Sequence, residues 1–231
     1  MNIRSRAKKK LFVALFLTGL IAGVSCEVAA PTKGPKQERP RGGTDAVSIF
    51  LTGNVLGTLK PCGCSGGQLG GLDRRPAIFN AVPRGKRLVL DTGSLVRGDS
   101  DQELIKYSII MQAMGLLDYD LVNLTEEDLE TARNLGLLDS SSVTLISPYG
   151  TGEIAGPFQK QYVLDGENIT ISIATFDPET SPIEQVREFF PARKGGQKDV
   201  NILIISGRND AVISSISQTG IVDCIICPAE S

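Results

Sequence analysis

The stretch Val47-Ser48-Ile49-Phe50-Leu51-Thr52-Gly53-Asn54-Val55-Leu56-Gly57 decides how the rest of the chain is interpreted. An apolar, β-branched run ends in a glycine-marked loop, which is typical of a strand whose carboxyl end faces a ligand site in an open α/β sheet. The glycine-rich region after this strand contains neither a Gly-Lys-Ser/Thr ending nor G-x-G-x-x-G, so it is not a P-loop or a dinucleotide fingerprint. Taken alone, this glycine-rich region indicates only that its backbone lies close to a ligand or to another part of the chain.

Strand-like and helix-like segments alternate after this stretch, which predicts an α/β protein with a sheet covered by helices. Strands are predicted at residues 47–52, 87–91, 121–124, 143–147, 169–175, 200–206 and 221–227. Helices are predicted at 101–117 behind a Ser100 or Asp101 cap, from the capping box at 125–128 to Gly136, after the Ser181-Pro182-Ile183-Glu184 cap, and at 209–220. The β-rich stretch 143–175 predicts a mixed sheet or two stacked sheets.

Composition limits the possible functions. The 231 residues are enough for one sizeable core, and 41% hydrophobic and 22% charged residues are ordinary for a globular protein. The formal net charge is −2, so nothing favours nucleic-acid binding. The sequence contains no His, the commonest metal ligand and near-neutral general base. It therefore excludes His-dependent triads and His-liganded metal centres.

Residues 1–26 have the pattern of a targeting segment, because a basic region precedes an apolar run of 14 residues at 11–24, too short to span a bilayer of roughly 30 Å. Gly23-Val24-Ser25-Cys26 resembles the bacterial lipoprotein box, with Gly23 where Leu is usual; an ordinary signal peptide and an N-terminal anchor are the alternatives. We expect Cys26 to carry lipid and hold the protein at a membrane of the bacterial cell envelope, facing the periplasm or exterior. A Pro/Gly-rich tether at 27–45 and an α/β domain at 46–231 follow.

Several ordered motifs carry a resemblance to a known family. They are Thr52-Gly53-Asn54-Val55-Leu56-Gly57, Gly70-Gly71-Leu72-Asp73-Arg74-Arg75, Leu90-Asp91-Thr92-Gly93-Ser94-Leu95, the run 119–128 and Asp223-Cys224-Ile225-Ile226-Cys227. They resemble the calcineurin-like metallophosphoesterase superfamily, in particular the bacterial 5′-nucleotidase-like branch, a subset of which carries Pro-Cys-Gly-Cys as at 61–64. The resemblance implies layered mixed β-sheets flanked by helices. It also implies further strands, so we expect a domain truncated at the C-terminus or an open sheet edge for a protein partner.

The family holds two metal ions with Asp, Asn and His side chains at strand ends, where the ions clamp the phosphate and a bridging water becomes the nucleophile. In this chain the corresponding positions are degenerate: Asn54, Leu56, Ser94, Glu126 and Glu127. The resemblance therefore implies no dinuclear cofactor and no catalytic residues, which favours a non-catalytic binding or scaffold module. Residual phosphoesterase or nucleotidase activity is an alternative.

Other side chains near these motifs could bind ions. Oxygen ligands for Mg²⁺ or Ca²⁺ are offered by Glu126, Glu127, Asp128 and Glu230, although acidic residues in a first helical turn ordinarily complement the helix dipole. Arg74 and Arg75 are candidates for binding an anion such as phosphate, with a structural salt bridge as the alternative. Asp91 could be a ligand or could cap a turn.

Four cysteines besides Cys26 form a C-x-C pair, Cys62 and Cys64, and a C-x-x-C pair, Cys224 and Cys227. They could form disulfides, hold Zn²⁺ or an iron–sulfur cluster, or stay unconnected, so the cofactor is left unknown. Because side chains alternate along a strand, Cys224 and Cys227 point to opposite faces unless the strand ends between them, and Cys224 could be a plain buried cysteine. A cysteine-centred metal or redox protein is therefore the rival function.

Overall fold

Two four-stranded sheets form in the part of the chain that the computed structural model describes, residues 45–60, 71–190 and 198–228. The first sheet is all parallel, in the order β1 (Ser48–Thr52), β2 (Arg87–Asp91), β3 (Leu121–Asn123), β4 (Thr144–Ile146). The second has the order β5 (Phe158–Leu164), β6 (Glu167–Phe176), β7 (Val200–Ile205), β8 (Cys224–Ile226). Only the β5–β6 pair is antiparallel. The sequence predicted either a mixed sheet or two stacked sheets, and the structure has both features: two sheets, of which the second is mixed.

Five α-helices connect the strands within the described residues: α1 (Arg75–Phe79), α2 (Asp101–Leu116), α3 (Glu126–Asn134), α4 (Gln185–Phe189) and α5 (Asp210–Gln218). The predicted caps of α2 and α3 are confirmed, because Ser100 accepts a hydrogen bond from the Glu103 amide and Thr125 forms a capping box with Asp128. Side-chain oxygens at these positions satisfy amides that have no partner inside the helix.

The two sheets stack face to face, and helices cover each outer surface. Because side chains alternate along a strand, Leu88 and Leu90 pack between the sheets while Val89 packs under the helices. The layer between the sheets buries Leu121, Ile146, Tyr162, Ile171, Ile173, Ile202 and Ile204. Helices α1, α2 and α3 cover the first sheet, and α4 and α5 cover the second. The result is a four-layer helix–sheet–sheet–helix arrangement.

The predicted start of the fourth helix is wrong. α4 begins at Gln185, not directly after Ser181, and its cap residue Glu184 makes no side-chain hydrogen bond to the helix. The amides of Gln185, Val186 and Arg187 each bond to the carbonyl three residues earlier, so this segment forms tight turns before the helix.

The sequence prediction missed strand β5. It forms a hairpin with β6 through Asp165 and Gly166, both with positive φ (50° and 79°). An Asp-Gly pair is a strong signal for a two-residue hairpin turn, and it was present in the sequence.

Several sequence predictions lie outside the described residues: the segment 1–26 with Cys26, the tether 27–45 apart from Asp45, and Cys62, Cys64 and Glu230. None of the described helices is long and apolar enough to cross a membrane. At the other end, β8 pairs only with β7 among the described strands. Pairing of this edge with a protein partner stays a prediction.

Candidate functional site

The carboxyl ends of β1, β2, β3, β7 and β8 surround one cavity of about 360 Å³, which we call the strand-end cavity. Polar side chains on its lining include Asn54, Thr92, Ser94, Asn123, Ser206 and Cys227. Parallel strands bring the loops that follow them to the same edge of a sheet, which is where α/β proteins bind ligands. This cavity is therefore the candidate site.

The loops after β1 and β2 are held together by backbone hydrogen bonds. The Asn54 amide donates to the Gly93 carbonyl at 2.9 Å, and the Leu56 amide donates to the Ser94 carbonyl at 3.0 Å. Asn54, Leu56 and Ser94 all have left-handed backbone, with φ of 52°, 49° and 59°. Such a conformation costs about 1–3 kcal/mol in a non-glycine residue and is concentrated at functional sites. Three of the positions that the resemblance assigns to metal ligands thus combine unusual backbone with side chains that are poor metal ligands.

Asp128 holds the loop that follows β2 in place through hydrogen bonds. Its buried carboxylate accepts hydrogen bonds from the backbone amides of Ser94 at 2.7 Å and Leu95 at 3.0 Å. It also accepts from the amide and hydroxyl of Thr125, at 3.2 and 2.8 Å. The carboxylate is therefore used in holding the loop, and it is not available to bind a cation without breaking these contacts.

Asp91 has a similar internal role at the end of β2. One carboxylate oxygen accepts from the Gly93 amide at 2.9 Å and the other from the Thr52 hydroxyl at 2.5 Å. Burial raises the pKa of Asp91, while the Thr52 hydroxyl, the Gly93 amide and the Arg75 guanidinium act to lower it. These bonds correspond to the turn-capping alternative that the sequence suggested.

Arg75 is placed in a structural salt bridge. Its guanidinium lies 3.6 Å from the Asp91 carboxylate and donates to the Tyr119 hydroxyl. This arrangement corresponds to the salt-bridge alternative for Arg75. Arg74 is exposed in the turn before α1, and phosphate contact by either arginine stays a prediction.

Three acidic candidates within the described residues, Glu126, Glu127 and Asp128, lie outside the lining of the strand-end cavity. Glu127 lines a neighbouring cavity of about 430 Å³ that shares Ser94 with it, whereas Glu126 lines a third depression beside Tyr149. Leu56 is half-buried. Of the five degenerate positions, only Asn54 and Ser94 line the strand-end cavity.

The described cysteines differ in position. Cys227 follows the last residue of β8 and lines the strand-end cavity, while Cys224 begins the strand. Both thiols are exposed and not joined to each other, so the expectation of a plain buried Cys224 is wrong. Cys224 begins β8, which pairs only with β7 among the described strands, and the apolar residues around Cys224 do not reveal this position.

The lining does not fit the metal centre that the family resemblance implies. Asn54 and Ser94 offer an amide and a hydroxyl where carboxylate or imidazole ligands would be needed. Within residues 45–60, 71–190 and 198–228, no group of three or more His, Cys, Asp or Glu side chains could hold a metal ion. The described part of the site can form hydrogen bonds but lacks the charge for a dinuclear cluster.

Sequence reasoning did not single out Asn123 as a site residue, whereas the resemblance places the family's lone histidine near Ser206, which lines the cavity. Asn123 ends a strand whose other two residues are apolar, and it is only 3% exposed. A polar residue at the end of a buried parallel strand is the signal that could have identified it.

Comparison with known proteins supports the fold. No protein-family model and no curated protein matches the chain. The NAD nucleotidase of Haemophilus influenzae is 17% identical with a TM-score of 0.57, over 80% of this chain and 38% of that one. The chain thus spans under two fifths of that protein's length.

Two structures from Thermus thermophilus are also similar. The 5′-nucleotidase precursor is 17% identical with a TM-score of 0.44, over 69% of this chain and 41% of that one. A hypothetical protein is 15% identical with a TM-score of 0.45, over 77% and 65%. The fold match to the NAD nucleotidase agrees with the motifs in the sequence, and the chain therefore has a metallophosphoesterase-like, nucleotidase-like fold.

Proposed function

We propose that the chain is a lipid-anchored protein of the bacterial cell envelope whose nucleotidase-like domain binds a ligand without hydrolysing phosphate esters. One observation carries the proposal: the strand-end cavity has Asn54 and Ser94 at the positions where the resemblance implies metal ligands. Neutral amide and hydroxyl groups neither neutralise a phosphate nor lower the pKa of a water as two metal ions do.

The surrounding charges do not compensate for this loss. The carboxylates of Asp91 and Asp128 are both buried and accept hydrogen bonds from the loops that form the cavity. The guanidinium of Arg75 is engaged by Asp91. Groups held in this way maintain the shape of the cavity, which is what a binding module requires.

Metal content distinguishes this proposal from its rivals. We expect the purified chain, dialysed against Mn²⁺ and then against buffer, to retain no more Mn²⁺ than an Asn54→Ala/Ser94→Ala double variant, by elemental analysis. Mn²⁺ retained by the original chain and lost from the double variant would contradict the proposal.

The same measurement tests a cysteine-centred function, which the exposed thiol of Cys227 at the cavity favours. That rival expects Zn or Fe in the anaerobically purified chain and its loss in Cys227→Ser. Counting of reactive thiols in the same sample distinguishes bound or oxidised cysteines from exposed thiols.

The lipid anchor makes a separate prediction. We expect Cys26→Ala to move the protein from the membrane fraction to the soluble fraction, since each acyl CH₂ buried in lipid stabilises attachment by about 0.8 kcal/mol. Cell fractionation followed by immunoblotting measures this, with Cys224→Ala as the control that stays in the membrane. A Cys26→Ala protein that remains membrane-bound would instead favour an uncleaved N-terminal anchor.

A further inference from the structure

We propose that the strand-end cavity binds a small, uncharged molecule bearing hydroxyl groups, of about the size of a monosaccharide, and that one ligand hydroxyl donates a hydrogen bond to Asn123 Oδ1. This inference names the ligand class of the binding module and rests on the function proposed above. It is carried by a buried acceptor that has no donor within the described residues.

Asn123 lines the cavity while its side chain is almost completely removed from solvent, with 3% of the residue exposed. Its Nδ2 donates to the Thr92 carbonyl at 3.2 Å, but its Oδ1 has no hydrogen-bond partner among the described residues. Buried polar atoms are nearly always hydrogen-bonded, since an unpaired one has lost its contacts with water and gained nothing in return. A donor from a ligand in the cavity satisfies this atom.

A second buried atom points to the same region. Thr175 is 2% exposed, and its Oγ1 also has no partner among the described residues. Ile171 and Ile173 pack between the sheets, so alternation along β6 places Thr175 on the same inner face. Leu121 also packs between the sheets, which places Asn123 on the inner face of β3.

The two atoms therefore face the space between the sheets near the carboxyl ends of their strands. The third buried side-chain atom without a partner among the described residues, Arg87 Nε, lies at the opposite end, where β2 begins. Asn123 lines the cavity, and Thr175 pairs with the lining residue Ile204 without lining the cavity itself. Asn123 Oδ1 is therefore the atom that a ligand in the cavity can reach, and Thr175 shows a second unsatisfied polar atom at the same end of the sheets.

The charge of the cavity selects the ligand class. The described residues of its lining include five hydroxyl side chains and two carboxamides, and none with a charged side chain. A phosphate ester would lie there without a counter-charge, because the guanidinium of Arg75 is engaged by Asp91. An uncharged ligand loses less hydration on entering such a site.

The types of group in the lining favour hydroxyls over flat rings. Hydroxyl and carboxamide groups both donate and accept hydrogen bonds, as the hydroxyls of a polyol or sugar do. The described lining contains no aromatic side chain on which a planar base could stack. A volume of about 360 Å³ lies at the lower end of the range for small-molecule sites, which agrees with a ligand of monosaccharide size.

Titration calorimetry on the full chain tests the proposal with glucose, N-acetylglucosamine and myo-inositol as uncharged probes and glucose 6-phosphate as the charged one. We expect at least one uncharged probe to bind, more tightly than glucose 6-phosphate. Asn123→Leu should weaken that binding at least about tenfold, the effect of losing a buried hydrogen bond.

The matched control is Asn201→Leu. Asn201 is also a buried strand asparagine, but its Nδ2 donates to the Ile221 carbonyl and it lies near the start of β7, away from the cavity. We expect it to leave probe affinity unchanged. Asn123→Leu also removes an oxygen that has no hydrogen-bond partner, so the Tm of the unliganded variant should fall by no more than about 3 °C. A larger fall in Tm would indicate that Asn123 has a purely structural role.

Three results would overturn the inference: no binding of any uncharged probe up to about 50 mM, tighter binding of glucose 6-phosphate, or equal loss of binding in both asparagine variants. A crystal structure soaked with the probes that shows only a water on Asn123 Oδ1 would also overturn it. Any of these results would remove the proposed ligand class and leave the proposed lack of hydrolysis untouched. Turnover of a phosphate ester would instead contradict the proposed function, so the two proposals can fail separately.

Discussion

Asp128→Ala is expected to destabilise the protein by about 3–5 kcal/mol. The variant removes a buried carboxylate that accepts from the amides of Ser94, Leu95 and Thr125, and so leaves these donors without partners. It also removes half of the capping box that begins α3. Urea unfolding followed by circular dichroism measures the loss.

The control for this variant is Glu127→Ala, one residue earlier in the same helical turn. Glu127 is exposed, so its removal should change the free energy of unfolding by less than about 0.5 kcal/mol. A loss below about 1 kcal/mol for Asp128→Ala would mean that the loop between β2 and α2 is not held by this carboxylate.

Gly93→Ala is expected to cost about 3 kcal/mol or more, for two reasons that act together. Gly93 has a φ of 95°, a conformation that residues with a Cβ rarely adopt. An added Cβ would also lie 2.7 Å from the Asn123 carbonyl oxygen and 2.9 Å from Asp128 Oδ2. Neither atom can move away easily, because one is backbone and the other is held by the hydrogen bonds of Asp128.

Two control glycines separate these contributions in the same unfolding experiment. Gly98 has a φ of 77° with nothing within 4 Å of an added Cβ, so Gly98→Ala reports backbone strain alone, about 1 kcal/mol. Gly85 has neither feature, and Gly85→Ala should be neutral within about 0.5 kcal/mol. If Gly93→Ala resembles Gly98→Ala, the close approach of the β2 and β3 loops is not as described.

The elements that sequence predicted well are those whose signals are local. The strand Arg87–Asp91 was predicted with its true bounds, and the Ser100 and Thr125 caps follow from short polar side chains before helical patterns. Strand β5 was missed because its alternation is broken: Lys160 lies on the half-buried face between Phe158 and Tyr162, where it pairs with Asp120, and Val163 lies on the exposed face.

The site was harder to predict because its properties arise from contacts between distant residues. The capping box identified Asp128 as a helix-start residue, but not that the same carboxylate would reach the Ser94 amide 34 positions away. Likewise, the unpartnered state of Asn123 Oδ1 among the described residues depends on what packs around it and has no counterpart in the sequence. The resemblance directed attention to Asn54 and Ser94, which both line the cavity, because motif comparison needs only identity and order.

We propose that the nucleotidase-like fold of this chain lacks the chemistry of a metallophosphoesterase. The most direct test is turnover of p-nitrophenyl phosphate and 5′-AMP by the purified full chain with added Mn²⁺, beside the Asn54→Ala/Ser94→Ala double variant. We expect the same background rate of phosphate release from both proteins. Turnover by the original chain that disappears in the double variant would contradict it.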